Sequence, residues 1–192
     1  NSKTDSEFLL VVKNLDGIFS VWPHRDKLYI YTNYKTPNWK LMAVSLKNAH
    51  RGMRYWHAVI PEGKFVLDYA KTCRNRLFAI VIKNVHYVLK MYDLKGRFIS
   101  EIKLPTLGVT GGLFSEREGS EVFFSFTSFL VPSQIYKLDL NKNKLELLRQ
   151  LKLKIDFKKF VSKQVWFKSK DGTKVPMFLI HKKKLRRNGK NP

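Results

Sequence analysis

The sequence predicts an all-β chain assembled from repeated four-stranded units, and three observations predict it. Apolar and polar residues alternate with a period of two over many short segments, while helical spacing is nowhere sustained. The segments KLYIYTN (27–33), RLFAIVI (76–82) and EVFFSFT (121–127) begin 49 and 45 residues apart. Each is followed by a strand with a common ending, WKLMAVSL (39–46), YVLKMYDL (87–94) and IYKLDL (135–140), whose final leucines Leu46, Leu94 and Leu140 lie 48 and 46 residues apart.

The remaining strands complete the unit. A third strand follows every pair, as HAVIP (57–61), FISEIKLP (98–105) and LELLRQLKL (145–153), and a weaker one precedes it, as IFSVWP (18–23), FVLDYAKT (65–72) and VTGGLFS (109–115). Turn residues agree with these boundaries. HRDK, CRNR and EREGS join the first and second strands, and LKGR and LNKNK join the third and fourth. Four antiparallel strands per roughly 45 residues is the signature of β-propeller blades. The expected organisation is the end of a preceding blade at 1–14, with EFLLVV as its strand, then blades at 15–62, 63–106 and 107–157, then a different element at 158–192. About three blades cannot close a ring that typically needs four to eight, so a partial propeller is expected, with its remaining blades on the same parent chain.

Composition bounds the function. A hydrophobic fraction of 44%, with 14 Phe, 8 Tyr and 4 Trp in 192 residues, is ample for a packed core. No run of about eighteen apolar residues occurs and no signal-like order opens the chain, so neither a membrane partner nor secretion is expected. The single cysteine, Cys73, cannot form an internal disulfide and fits a reducing, cytoplasmic setting. It follows an apolar strand at a turn, which reads as an ordinary structural or surface thiol. The net charge of +22 could attract nucleic acid. Its Lys and Arg residues are spread singly through strands and turns, however, and only HKKKLRRNGK (181–190) is dense, so the charge reads as solvated faces and edge protection. A basic surface is necessary for nucleic-acid binding but not sufficient for it.

After Phe157 the rhythm changes. QVWFKSKDGTKVPMFLIHKK (164–183) reads as a hairpin whose strands, 164–169 and 174–181, flank Lys170–Thr173. Asp-Gly between alternating apolar strands is a strong hairpin signal, and Pro176 removes a backbone donor, which places its strand at an edge or a bulge. SKDGTKVPMFLIHKK (169–183) resembles the segment by which prolyl oligopeptidases leave their propeller and open their α/β-hydrolase domain. YTNYKTPNWKLMAVSL (31–46) and FFSFTSFLVPSQIYKLDL (123–140) are similar to stretches of the same family, in the same order and spacing. The resemblance implies a seven-bladed propeller gating a serine endopeptidase that cleaves short proline-containing peptides after proline. This chain would supply the last three blades and the start of the peptidase domain at 158–192. Oligopeptidase B, which shares the architecture but prefers basic residues, is the alternative within the family; a non-catalytic basic binding module is the alternative outside it.

The chemistry such an enzyme needs is not expected within 1–192. A hydrolase of this class places its serine in a G-x-S-x-G elbow, with Asp and His following in chain order. The nearest look-alike, Gly112-Leu113-Phe114-Ser115, lacks the second glycine. With the family's order, all catalytic residues are expected downstream of Pro192, so none is assigned here. His24, His50, His57, His86 and His181 show no metal-ligand spacing and read as surface or loop residues. No phosphate-binding glycine loop occurs, and neither metal nor cofactor is expected. Tyr31, Tyr34, Trp39, Tyr55 and Trp56 cluster in one unit, where strand spacing favours packing between blades over a recognition surface.

Overall fold

The computed structural model describes residues 9–13, 15–116, 118–186 and 188–189. Among them the chain forms three four-stranded antiparallel sheets and one two-stranded sheet. The first sheet runs β1 (Phe19–His24), β2 (Lys27–Thr32), β3 (Lys40–Ser45) and β4 (His57–Ile60) in chain order. The second runs β5 (Val66–Cys73), β6 (Arg76–Lys83), β7 (His86–Asp93) and β8 (Phe98–Ile102), and the third β9 (Val109–Phe114), β10 (Glu121–Ser128), β11 (Val131–Asp139) and β12 (Lys144–Gln150). The hairpin is β13 (Phe160–Lys168) and β14 (Lys174–Lys182). This is the all-β, four-stranded pattern of a propeller fragment. Of the expected strand EFLLVV, only Leu9–Val12 fall within the described residues; they carry no strand, and Val11 and Val12 pack on the first sheet. Asn1–Phe8 and Asn14 lie outside the described residues, as do Arg187 and Lys190 of the basic run.

The turns explain the repeat. Arg25-Asp26 and Arg74-Asn75 are two-residue connections, with Arg25 at φ 55° and Arg74 at φ 51°. The third-to-fourth-strand turns begin with an aspartate whose carboxylate accepts two backbone N–H groups. Asp93 takes those of Lys95 and Arg97, both at 2.9 Å, and Asp139 takes those of Asn141 at 2.9 Å and Lys142 at 3.0 Å. These bonds hold both carboxyl groups below the usual carboxylate range, led at Asp93 by the Arg97 amide and at Asp139 by the Lys142 amide. The leucines that mark the period are tied the same way in two units: Leu46 N–H donates to Asp26 C=O and Leu140 N–H to Ser120 C=O, each at 2.8 Å. Two short 3-10 helices, Leu46–Arg51 and Met53–Tyr55, fill the first sheet's connection from β3 to β4. Periodicity did not show them because each is too short to display a helical stripe. β11 also begins at Val131, four residues before the expected IYKLDL.

The chain divides into two compact units, 1–82 with 89–102, and 83–88 with 103–192. In the first, Tyr29, Leu41, Ala43, Val59 and Ile60 of the first sheet pack against Leu67, Ala70, Leu77, Ala79 and Val81 of the second. The period of two sets this up. In β2, Tyr29 and Tyr31 face the second sheet, while Ile30 faces a separate cluster with Val44, Ala49 and Trp56. Donors then cross from the first sheet to main-chain acceptors of the second. Tyr31 Oη donates to Leu67 C=O at 2.6 Å and lies 2.9 Å from Asp68 C=O, Tyr29 Oη reaches Leu94 C=O at 3.2 Å, and His24 Nε2 donates to Arg74 C=O at 2.7 Å. Trp22 Nε1 donates to Thr72 Oγ1 at 3.1 Å. Gly96, at φ 85°, closes the β7–β8 turn so tightly onto β4 that a Cβ there would run into the Val59 carbonyl.

In the second unit the third sheet buries Val122, Phe124 and Phe126 of β10 with Gln134, Tyr136 and Leu138 of β11, and Phe124 stacks on Tyr136 at 5.6 Å. Lys137 bridges Glu121 and Glu146 across three strands, at 3.0 and 3.5 Å.

Two outcomes test the first unit. Gly96→Ala is expected to cost roughly 2 kcal/mol or more, read as a lower urea midpoint, because it adds both a clash and a disfavoured φ. Burial, helped by Asp68, pushes the Tyr31 hydroxyl up to about 12, so its contribution is fully present below the unfolded tyrosine value of about 10 and is lost as pH rises through about 12. Tyr31→Phe is expected to cost about 1–2 kcal/mol at neutral pH and to flatten the alkaline fall in stability, measured by urea titration across that window.

Candidate functional site

The ends of the sheets that carry the second-to-third-strand turns hold the most informative local chemistry. In the first sheet this turn is Asn33–Trp39, from the YTNYKTPNW stretch. Thr32 Oγ1 accepts the Tyr34 N–H at 3.0 Å, Asn33 Oδ1 accepts the Ile18 N–H at 2.7 Å, and Trp39 N–H donates to Thr36 C=O at 2.9 Å. Asn38 N–H donates to Glu62 Oε1 at 2.8 Å, and its carbonyl accepts Leu67 N–H at 2.9 Å. The loop is thus wired to the strand that follows the sheet. Trp39 folds back to stack on Tyr31 with centroids 4.4 Å apart.

The five clustered aromatics therefore serve packing. Tyr31 and Trp39 belong to the interface between the first two sheets, Trp56 is buried against Phe19, and Tyr34 leans on the same phenylalanine at 6.0 Å. Tyr55 carries Arg51 and Arg54 over its ring, at 5.0 and 5.1 Å.

In the third sheet the corresponding turn comes from FTSFL. Ser128 Oγ accepts the N–H groups of Leu130 and Val131, at 3.4 and 3.1 Å, and Thr127 Oγ1 donates to Val131 C=O at 3.2 Å. A register shift between Phe126 and Ser128 sharpens the bend. Phe126 is fully buried, while Phe129 is thrown outward and meets Phe178 of the hairpin with centroids 5.2 Å apart. The FTSFL and VPMF stretches, separate in sequence, are brought together in one place. With Val85, Leu107 and Val109 these two rings line an apolar pocket of about 280 Å³, edged by Thr127 and Ser128.

The hairpin that delivers Phe178 is a regular ladder from Phe160↔Lys182 to Lys168↔Lys174. Its loop is Ser169–Thr173, with Gly172 at φ 83°; Asp171 stays out of the left-handed region, and its carboxylate accepts the Thr173 N–H at 3.0 Å and the Thr173 hydroxyl at 2.8 Å. Pro176 pairs with Trp166 in a sheet that has only two strands among the described residues, so the strand carrying it has an open edge. Trp166 and Phe167, each 48% exposed, lie near the tip with Lys168 and Lys174.

Cys73 takes the structural one of its two expected roles: it ends β5 with 1% exposure, on the strand face opposite to that of the buried Thr72, so both faces are covered there. Among the histidines expected at the surface or in loops, His24 is corrected. His24 is likewise buried, at 3%, since its Nε2 bond to Arg74 C=O draws the ring under the turn. His50 and His57 are exposed, and His86 and His181 are partly buried on β7 and β14. No three His, Cys, Asp or Glu side chains converge on a metal geometry among the described residues. Ser115 follows β9 in a loop and occupies no strand-to-helix elbow. No helix among the described residues is long and apolar enough to cross a membrane. The join of Phe129 to Phe178 was invisible to sequence reasoning, because nothing in either stretch names its partner.

Repeated four-stranded meanders that lead into a hairpin define a propeller-type chain. The chain belongs to the prolyl oligopeptidase N-terminal β-propeller domain family, whose model matches residues 1–151. That match stops where β12 ends, whereas individual relatives align through the hairpin. A prolyl endopeptidase of Elizabethkingia meningoseptica is 31% identical over 191 residues, covering 99% of this chain and 27% of the relative. The dual function macrocyclase-peptidase POPB of Amanita bisporigera is 30% identical over 175 residues, covering 88% and 23%. A chain from a structural and mechanistic study of two prolyl endopeptidases superposes with a TM-score of 0.86 at 28% identity, over 97% of this chain and 28% of that one. Prolyl oligopeptidase B of Galerina marginata, bound to a 35mer hydrolysis and macrocyclization substrate, gives 0.77 at 26% identity, over 90% and 25%. This chain spans about a quarter of the length of these relatives.

The burial of Cys73 makes an expectation of its own. A thiol-specific reagent at neutral pH is expected to modify it at least about 100-fold more slowly in the native chain than in urea, with a rate that follows unfolding.

Proposed function

We propose that this chain is part of a serine endopeptidase of the prolyl oligopeptidase type, which hydrolyses short peptides on the carboxyl side of proline. The observation that carries this reading is the alignment with prolyl endopeptidases along 99% of the chain, through the sheets and on into the hairpin. In this reading the three sheets are consecutive blades of a gating propeller, and β13–β14 opens an α/β-hydrolase domain. The serine, aspartate and histidine of the triad are supplied downstream of Pro192, and the remaining blades come from the same parent chain. The proposed setting is the cytoplasm, consistent with a lone cysteine held inside a sheet.

The division of labour follows from the kinds of groups present. A peptide bond is cut when an activated hydroxyl attacks its carbonyl and backbone donors stabilise the oxyanion. The sheets contribute a rigid wall, closed by main-chain hydrogen bonds and apolar packing, that sets which peptides reach such a centre. Asp93, Asp139 and Ser128 use their side chains to hold turns of that wall.

The isolated chain is expected to show no turnover of a Gly-Pro reporter substrate and no labelling by a fluorophosphonate. Expression of the open reading frame that contains it is expected to yield cleavage after proline and a labelled serine outside these residues. Turnover that survives purification together with a labelled serine in this chain overturns the assignment, and cleavage after arginine in place of proline moves it to the oligopeptidase B type.

A further inference from the structure

The β6–β7 turn departs from what its geometry favours. Both of its residues have left-handed backbones, Asn84 at φ 50° and Val85 at φ 65°. Two such residues make the type I′ turn, for which Asn-Gly is the preferred pair. Asparagine suits the first position, but valine, branched at Cβ, is among the residues least suited to the second. Val85 is 61% exposed.

Its surroundings supply the reason. Val85 lines the apolar pocket whose other walls include Leu107, Phe129 and Phe178. On the adjoining residue, the Asn84 carbonyl accepts a hydrogen bond from Gln164 Nε2 at 2.6 Å, a contact across 80 residues of sequence. Gln164 and Phe178 are themselves cross-strand partners, so the polar and the apolar contact sit on a single rung of the hairpin. That rung meets two turns at once, Asn84-Val85 and the one that presents Phe129. Residues 151–156 leading to the hairpin and Trp166–Lys174 at its far end are exposed, while Phe160–Ser162 beside the rung are partly buried.

We propose that the Asn84-Val85 turn is a latch that seats the β13–β14 hairpin at the Gln164–Phe178 rung, and that the disfavoured backbone at Val85 leaves the latch poised to open. Gln164 supplies direction through a bond to a fixed carbonyl, and Phe178 supplies the apolar contact. The proposal concerns only groups within one compact unit, and it stands whether or not the parent protein cleaves after proline.

Hydrogen–deuterium exchange of this chain and two variants tests it. Gln164→Leu is expected to speed exchange of the β13–β14 amides about fivefold or more while the β1–β4 sheet is unchanged. Val85→Gly is the decisive variant because it relieves the backbone while removing the side chain. The β6–β7 ladder is then expected to keep or gain protection while the hairpin loses it. If Val85→Gly leaves hairpin exchange unchanged or slower, valine does not hold the hairpin and the proposal is overturned. Joint loosening of the ladder and the hairpin assigns Val85 an ordinary turn role and overturns it equally. Gln164→Leu with no effect on the hairpin removes the polar half of the latch and with it the proposal.

Discussion

The structure of the first unit depends on how closely two β-sheets can approach. Ala43 on one side, with Ala70 and Ala79 on the other, removes side-chain bulk where the sheets face each other, and Leu41, Leu67 and Leu77 fill the space between. Interiors packed to crystal-like density tolerate little change of volume, so these small residues fix the separation as firmly as the large ones fill it. Only at that separation do the Tyr31, Tyr29 and His24 donors reach main-chain acceptors on the neighbouring sheet. Apolar burial supplies most of the attraction and the crossing hydrogen bonds supply register.

Much of this was legible in the sequence, and the reason is physical. Alternation with a period of two writes each strand's inner face directly into the chain, and turns demand particular residues at their corners. Thus KLYIYT, RLFAIVI and EVFFSFT announced β2, β6 and β10, and LKGR and LNKNK announced their turns, although the part played there by Asp93 and Asp139 was not read from them. The 3-10 helices at Leu46–Arg51 and Met53–Tyr55 were not legible, because one or two turns carry no periodic stripe. The sequence leaves Cys73 open between a structural and a surface role, and the burial of His24 escaped for a different reason: what covers it is the turn at Arg74, fifty residues away in the sequence. At the candidate site the FTSFL and SKDGTKVPMF stretches stood out, yet their meeting through Phe129 and Phe178 is a long-range contact that local patterning cannot encode.

The charge of the chain takes on a definite form in the structure. Lys137 is shared between two glutamates, and Arg97 and Lys142 each sit by a turn aspartate. Exposed ion pairs of this kind contribute little individually. Lysines along the hairpin, at 163, 168, 170, 174 and 182, make no such pair among the described residues, and they keep an otherwise sticky open edge in water.

The hydrogen bonds that cross between the first two sheets have a lopsided form. Three of their donors are identifiable side chains, Tyr31, Tyr29 and His24, while their acceptors at Leu67, Asp68, Leu94 and Arg74 are peptide oxygens, which every amino acid possesses. In each of these three, one partner is therefore chemically anonymous, whereas the Trp22–Thr72 bond joins two side chains. Substitution can run through the accepting main-chain positions without touching the bond, so a statistical search for paired changes between the two sheets will hear Trp22 with Thr72 and miss the other three.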